Sequence, residues 1–359
     1  MSSDIENFSK VPKVLVLCHE SLVPHSYAKV PNYLRSATPN ITEIDVCRAI
    51  RSLGWKFEVL GLFENLEQIA HRVKVFKPDV IFNLAEEFAG KRSHEVHLRS
   101  YLELLNIPVT GADALNLAIC KDKVMTNHIL QSHGLTVPNH TEILTSSKKN
   151  VSKLLKNENM EFPVIVKGRT LESSEGISKS SVVKTVAKLI ERIRWFQEKF
   201  DATPFCESFI PGEDLTQSIF IEREKTTTFL PTKLIYKQLS ASSEEVYGHR
   251  EKWSETVRSK KGIQVEILAK NDVLSSQLTK MTQKIAEALR LSGYARVDYR
   301  KSEDGKIYVI EVNPNPNLAI DDELALSAKK SGWSYETLIA NIIKSRMKSP
   351  GHKNMHLAS

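Results

Sequence analysis

The chain has 359 residues, 41% of them hydrophobic and 26% charged, and 50 basic against 43 acidic residues give it a net charge of +7. This length predicts two or three domains, and the scattered placement of a mild basic excess argues against a nucleic-acid-binding surface. The four cysteines form no Cys-x-x-Cys pair, the first dozen residues lack a signal-peptide stretch, and no apolar run could span a bilayer, so we expect a cytoplasmic protein without zinc, disulfides or a membrane anchor.

Strands and helices alternate in the first third of the chain. Short apolar runs predict strands at 13–18, 56–60 and 79–83, and helical spacing of apolar residues predicts helices at 44–53, 65–76 and 95–105. This alternation indicates a parallel sheet covered by helices. We therefore expect a Rossmann-like α/β domain over residues 1–112.

The remainder mixes isolated strands with amphipathic helices. Periodicity predicts helices at 113–134, 184–200, 278–291, 323–330 and 335–347, and strands at 161–167 and 204–209. We expect a central domain over 113–202, a C-terminal domain over 203–348 and a polar tail at 349–359. The predicted fold class is α/β, and α+β in part.

Two strands joined by a polar turn carry acidic and amide side chains, in Gly293–Arg300 and Val309–Pro316. Alternation places Glu311 and Asn313 on one face, and hairpin pairing brings Asp298 opposite them. Three hard oxygen donors suit Mg²⁺ or Mn²⁺, and Arg296 places a cation beside them. A surface hairpin with solvated carboxylates remains the alternative.

A lysine ends the apolar strand that closes at Lys167, and a loop of small residues, Glu172–Ile177, follows it. Such a lysine can bind phosphate as a point charge, and the amides of the loop can approach a polyanion. A snorkelling lysine at a strand end is the alternative for Lys167 alone.

These motifs resemble the ATP-grasp enzymes, in particular the D-alanine–D-alanine ligase group. The group has Arg-x-Asp, a variable turn and Glu-x-Asn followed by proline, as here. Similar segments are Leu102–Gly111, the Asp-Lys motif that ends at Lys123, and a Lys-aromatic pair at Lys252. The matches run in the family's order from about residue 79 to 332, and they imply an ATP-grasp fold.

The resemblance implies a role for each matched residue. It assigns catalysis to Arg296, Ser173, Lys252 and Asn317. It assigns magnesium to Asp298, Glu311 and Asn313, and ATP to Lys123, Lys167, Ser174, Gly176, Glu207, Phe209, Ile210, Asp214 and Lys252. Within this set, Glu207 and the backbone of residues 208–210 would face adenine. It also implies that the loop from Ser240 to Trp253 closes over the γ-phosphate.

The resemblance implies an ATP- and Mg-dependent carboxylate–amine ligase that works through an acyl phosphate. Its partners would be a small-molecule carboxylate and an amine, with neither nucleic acid nor a membrane, and a homodimer is left open. The alternatives are a small-molecule kinase on the same fold and a non-catalytic ATP-binding regulator.

The chain departs from the family pattern at several places, one of which is the glycine that precedes the first serine of the phosphate loop, where this chain has Glu172 before Ser173. The family's N-terminal Glu-x-Glu-Val-Ser segment is missing, and Asp321-Asp322-Glu323 replace the serine that reads the acceptor's carboxylate. These acids would repel a carboxylate, so we predict an acceptor other than free D-alanine, unless they cap the following helix. Glu213 replaces a common arginine, which leaves the ribose contact open between Glu213 and Asp214.

Overall fold

A computed structural model of the protein describes residues 11–144, 147–172, 175–200, 203–222, 225–236 and 263–347. Its strands form three sheets, and its helices cover them. Three short 3₁₀ helices lie at Glu20–Leu22, Arg92–His94 and Lys179–Ser181. Within the described ranges, every helix is too short or too polar to cross a lipid bilayer.

The N-terminal sheet is parallel, with the order β2-β1-β3. Its strands are β1 (Lys13–His19), β2 (Lys56–Leu62) and β3 (Val80–Asn83). The helices of this region are α1 (Asn32–Arg35), α2 (Ile41–Ser52), α3 (Glu67–Phe76) and α4 (Glu95–Leu104). The apolar residues 14–18 of β1 are fully buried, as a strand covered on both faces requires. The prediction of a parallel sheet with helices is confirmed.

One predicted helix is in fact two. The stretch 113–134 forms α5 (Ala114–Lys121) and α6 (Lys123–Ser132), which meet at Asp122. The Asp122 carboxylate accepts a hydrogen bond from the Met125 amide at 3.0 Å and so caps the second helix. Apolar spacing continues across the junction, which is why periodicity alone did not reveal it.

The central sheet has the order β4-β7-β5-β6 and two helices on one side. Its elements are β4 (His140–Glu142), α7 (Lys148–Asn157), β5 (Val164–Gly168), β6 (Val182–Val183), α8 (Val186–Lys199) and β7 (Pro204–Ser208). Since β7 pairs antiparallel with β5, a boundary after residue 202 would divide this sheet. We propose that the central domain extends to about residue 209 instead.

The C-terminal sheet has the order β11-β10-β8-β12-β13, and β9 pairs with β8. Its strands are β8 (Glu213–Glu222), β9 (Lys225–Thr228), β10 (Thr232–Tyr236), β11 (Ile263–Ile267), β12 (Gly293–Lys301) and β13 (Ile307–Asn313). Its helices are α9 (Val273–Ala288), α10 (Glu323–Lys330) and α11 (Tyr335–Met347).

The N-terminal and C-terminal parts share one hydrophobic core. Leu338, Ile339 and Ile342 of α11 are buried in the same cluster as Val14 of β1 and Phe82 of β3. The contact brings the ends of the N-terminal strands next to the β12–β13 hairpin.

Candidate active site

The β12–β13 hairpin brings the predicted oxygen donors together. Asp298 lies opposite Glu311 in the strand register, and Arg296 lies opposite Asn313. The Asn313 amide donates to the Asp298 carboxylate at 3.2 Å, so these two side chains touch. The pairing thus places Asp298, Glu311 and Asn313 at neighbouring positions of the hairpin, with Asp298 and Asn313 in contact.

Arg296 is 7% exposed and binds the Asp298 carboxylate with two hydrogen bonds, of 2.6 and 2.9 Å. Its guanidinium also lies 3.4 Å from the carboxylate of Glu323. Burial opposes the charge, but the carboxylates of Asp298 and Glu323 outweigh it and raise the pKa of Arg296. A permanently charged, directed guanidinium therefore lines the cleft.

Both described candidate lysines reach into the same cleft, between the central and C-terminal sheets. Lys167 pairs with the buried carboxylate of Glu207. Lys123 lies 2.8 Å from Glu311 and donates to the Leu171 carbonyl at 2.6 Å. The structure thus places two ammonium groups where polyanionic phosphate could exchange for carboxylate partners.

The segment predicted to bind adenine contributes fewer free amides than expected. The Ser208 amide donates to Asn139 O at 2.8 Å, and the Phe209 amide donates to Pro163 O at 3.1 Å. The side chains of Phe209 and Ile210 line the cleft together with Ile165. Phe209 therefore offers an apolar ring face, and the predicted amide contact is confined to Ile210.

The two acids considered for ribose lie in different surroundings. Asp214 lines the cleft and lies 3.0 Å from the guanidinium of Arg300. Glu213 pairs with Lys233 and, at 3.5 Å, with Lys301, and it is not one of the residues that line the cleft. The geometry favours Asp214 for the ribose contact.

The remaining predicted residues either lie outside the described ranges or do not line the cleft. Ser173, Ser174 and Lys252, and the loop from Ser240 to Trp253, lie outside the described residues. Gly176 has a φ of +71°, and a Cβ there would lie 2.7 Å from the Phe196 ring, so glycine is required for packing. The Asn317 side chain accepts from Thr42 of α2 at 2.7 Å.

The acidic cluster after the hairpin is used for structure. Asp322 caps α10 by accepting from the Glu323 amide at 2.6 Å. Asp321 binds Arg35 through hydrogen bonds of 2.7 and 2.6 Å, and Arg35 also binds Asp45. The helix-cap interpretation therefore holds for Asp322, and the prediction of an acceptor other than free D-alanine loses its support from these two acids.

Three charged residues that line the cleft were missed by the sequence analysis, namely Glu175, Arg300 and Glu323. Arg300 and Glu323 both line it, beside Asp214 and Arg296 respectively. Arg300 could have been found by extending the alternation Arg296–Asp298 by two residues. Glu323 stood within the acidic cluster, but its first-turn position did not distinguish it from its neighbours.

The donor set fits a hard metal ion held jointly with phosphate. Within the described residues, no three His, Cys, Asp or Glu side chains are grouped so that they could hold a metal. Asp298 and Glu311 supply two carboxylates, and Asn313 supplies an amide oxygen. Such a partial shell of oxygen ligands is typical of magnesium sites that are completed by a nucleotide.

Comparison with known families shows to which family the chain belongs. The family model described as D-ala D-ala ligase C-terminus matches residues 129–344, more than half of the chain. The chain belongs to this D-alanine–D-alanine ligase family. The match contains the hairpin, Lys167 and the Glu207 strand, and it confirms the resemblance inferred from the motifs.

Two of three similar relatives are named D-alanine–D-alanine ligases, and the third is uncharacterized. The D-alanine–D-alanine ligase of Aquifex aeolicus is 28% identical over 83% of this chain and 92% of its own length. D-alanine–D-alanine ligase A of Bacillus cereus is 29% identical over 72% of this chain and 78% of its own. An uncharacterized protein of Sinorhizobium fredii, y4sG, is 25% identical over 74% of this chain and 73% of its own.

Solved structures of the family share the fold. The D-alanine–D-alanine ligase of Bacillus anthracis in complex with ATP superposes with a TM-score of 0.69 over 94% of this chain and 98% of the other, at 22% identity. The VanG D-Ala:D-Ser ligase of Enterococcus faecalis superposes with a TM-score of 0.68 over 94% of this chain and 100% of its own, at 18% identity. The predicted ATP-grasp fold is confirmed.

Proposed function

We propose that this chain is an ATP- and magnesium-dependent carboxylate–amine ligase that forms an amide or peptide bond through an acyl phosphate. Its family membership supports the class of enzyme, a ligase that forms C–N bonds. The observation that carries the proposal is the cleft where Lys123, Lys167 and Arg296 meet the carboxylates of Asp298 and Glu311.

The charge of each side chain in the cleft determines which part of the substrates it would bind. Lys123 and Lys167 would hold the ATP phosphates, and Asp214 would hold the ribose. Arg296 would stabilise the oxyanion that develops when the amine attacks, because a preorganised buried cation acts most strongly where water is excluded. Catalysis of this kind rests on positioning and charge, and needs no side-chain nucleophile.

Asp298, Glu311 and Asn313 would hold magnesium at the hairpin. A bound magnesium ion neutralises charge on the transferring phosphoryl group. Lys123 and Arg296 now pair with two of these ligands, at 2.8 and 2.6 Å, and we expect both cations to turn to the phosphates and substrate when the metal binds.

The test is amine-dependent release of inorganic phosphate. The protein is incubated with ATP, magnesium and a panel of amino acids, dipeptides and amines, with the Glu311→Gln variant as a control. A ligase releases phosphate only when both a carboxylate and an amine are present, and the amide product is identified by mass spectrometry. A phosphorylated product that accumulates without any amine would identify a kinase, and ATP binding without turnover on any pair would favour a regulator.

The D-alanine arm of the panel tests the acceptor. Asp321 and Asp322 no longer argue against a carboxylate, so the prediction rests on the missing N-terminal segment and on Glu323 beside Arg296. Formation of D-alanyl-D-alanine at rates on the order of 1–10³ per second would contradict that prediction.

A further inference from the structure

Three consecutive residues at the α5–α6 junction hold the strand end that follows Lys167. Asp122 binds Arg169 through a hydrogen bond of 2.8 Å from Nε and a second one from the same guanidinium. The Lys123 amide donates to Arg169 O at 3.1 Å, and its ammonium donates to Leu171 O. Lys121 lies 2.6 Å from the Glu172 carboxylate. The junction thus contacts the segment 169–172 through all three of these residues, and Leu171 of that segment lines the cleft.

Lys121 has a second partner, in the N-terminal part. Its ammonium lies 2.7 Å from the carboxylate of Glu95, the first residue of α4. Lys121 and Glu95 are 8% and 5% exposed, while the Glu172 side chain is 29% exposed. Burial opposes the charge of Lys121, but Glu95 and Glu172 outweigh it and raise its pKa. One buried cation therefore joins the N-terminal region to the wall of the cleft.

The bridge also places a cation beside the carboxylate of residue 172. Residue 172 stands where the ligase loop pattern has glycine, and here it is glutamate. A carboxylate at the rim of a phosphate-binding cleft would repel the nucleotide unless a cation neutralises it. Lys121 supplies that cation at 2.6 Å without being one of the residues that line the cleft.

The geometry points to Lys121 as a positioning residue for the nucleotide. Through Glu172 it holds the Leu171–Glu172 wall against which Lys123 is anchored, and through Glu95 it ties this wall to the N-terminal sheet. This inference rests on the proposed function, because the ligand positioned is ATP.

The test compares two ways of changing the bridge. Lys121→Arg keeps the cation and both partners. Lys121→Met combined with Glu95→Gln removes the bridge without leaving the buried Glu95 carboxyl unpaired, which would lower the stability of the variant. Arg72→Met serves as the control, since it breaks an ion pair of 2.8 Å with Glu58 in which both side chains are about 40% exposed, in the N-terminal region.

Affinity for ATP with magnesium and the KM for ATP are measured in each folded variant. We expect the double variant to lose about tenfold or more in both, the scale on which displaced binding groups act. Lys121→Arg and Arg72→Met should stay near the wild type. Adding Glu172→Gln to the double variant should leave most of the loss, because the 169–172 segment still lacks its contact with Lys121. Full recovery would mean that Lys121 only neutralises Glu172, and it would overturn the positioning role.

A double variant with lower stability but unchanged ATP affinity and KM would overturn the inference and leave Lys121 a purely structural residue. If this double variant does not fold, Lys121→Gln with Glu95→Gln replaces it, since it also removes the cation but keeps polar side chains at both positions, and it is judged by the same criterion. A wild-type protein that does not bind ATP would instead contradict the proposed function.

Discussion

At the scale of single residues, replacing Lys167 tests the proposed ATP site most directly. Replacing it with Met removes a charge-assisted donor, which should weaken ATP binding by about 2 kcal/mol, or more than tenfold. Calorimetric titration with ATP and magnesium measures this directly. Lys188→Met is the matched control, because Lys188 pairs at 2.8 Å with Glu191 on the exposed face of α8.

The partner of Lys167 must be considered in the same experiment. Glu207 is 3% exposed and would lose its cation, so the variant could be destabilised for that reason alone. Lys167→Met with Glu207→Gln removes both charges and keeps the test of binding valid. Unchanged nucleotide affinity in this folded double variant would exclude Lys167 from the site.

Glu43 predicts a dependence of stability on pH. Burial, with a smaller contribution from Glu86, raises the pKa of Glu43 from 4.5 to about 7, and its Oε2 atom has no hydrogen-bond partner. The native state therefore binds this proton more tightly than the unfolded chain does. The stabilisation that comes from this tighter proton binding is fully present below pH 4.5. It is lost as the pH rises through about 7, which lowers the free energy of unfolding by about 3 kcal/mol.

Glu43→Gln should accordingly raise the free energy of unfolding at pH 8 and change it little at pH 5. Urea unfolding at the two pH values measures the difference, and the exposed Glu64→Gln is the control. An equal effect of Glu43→Gln at both pH values would show that the carboxyl does not titrate in this way.

At the scale of elements, the first residue of β12, Gly293, lies at a position that only glycine fits. Its φ is +82°, and an added Cβ would lie 2.8 Å from Gly111 O, where the N-terminal part meets the hairpin. Gly305, in the hairpin turn, has a φ of +84° but nothing within 4 Å of such a Cβ.

The two glycines form a matched pair for mutation to alanine. Gly305→Ala should cost about 1 kcal/mol, the strain of a left-handed residue alone. Gly293→Ala carries the same strain plus a clash with backbone, so it should cost clearly more in urea unfolding. Equal losses would mean that the backbone near Gly111 moves freely to accommodate the methyl group.

The elements also show which features a sequence can predict. Apolar spacing predicted β1 and α11, and alternation predicted that Asp298 and Glu311 would meet, because both signals are local. The bond between Arg35 and Asp321 joins residues 286 positions apart, and no local pattern contains it. For the same reason the sequence assigned β7 to the C-terminal domain, although it pairs with β5.

At the scale of the whole molecule, the candidate site lies between the central and C-terminal units. The cleft is lined by β5 and β7 of the central sheet and by β8 and β12 of the C-terminal sheet. Helix α11 packs into the core of the N-terminal sheet and holds that unit beside the hairpin. A ligand in the cleft therefore stabilises the association of the central and C-terminal units.

This arrangement predicts that ATP and magnesium stabilise the protein jointly. A ligand at a hundred times its dissociation constant adds about 2.7 kcal/mol to the free energy of unfolding, which raises the Tm by several degrees. Magnesium alone should have little effect, because Asp298 and Glu311 are paired with Arg296 and Lys123 until phosphate takes over these cations. In Glu311→Gln the shift produced by ATP should no longer depend on magnesium. The measurement is thermal unfolding of the wild type with ATP in excess EDTA. A rise in Tm as large as that seen with magnesium would contradict a metal site at the hairpin.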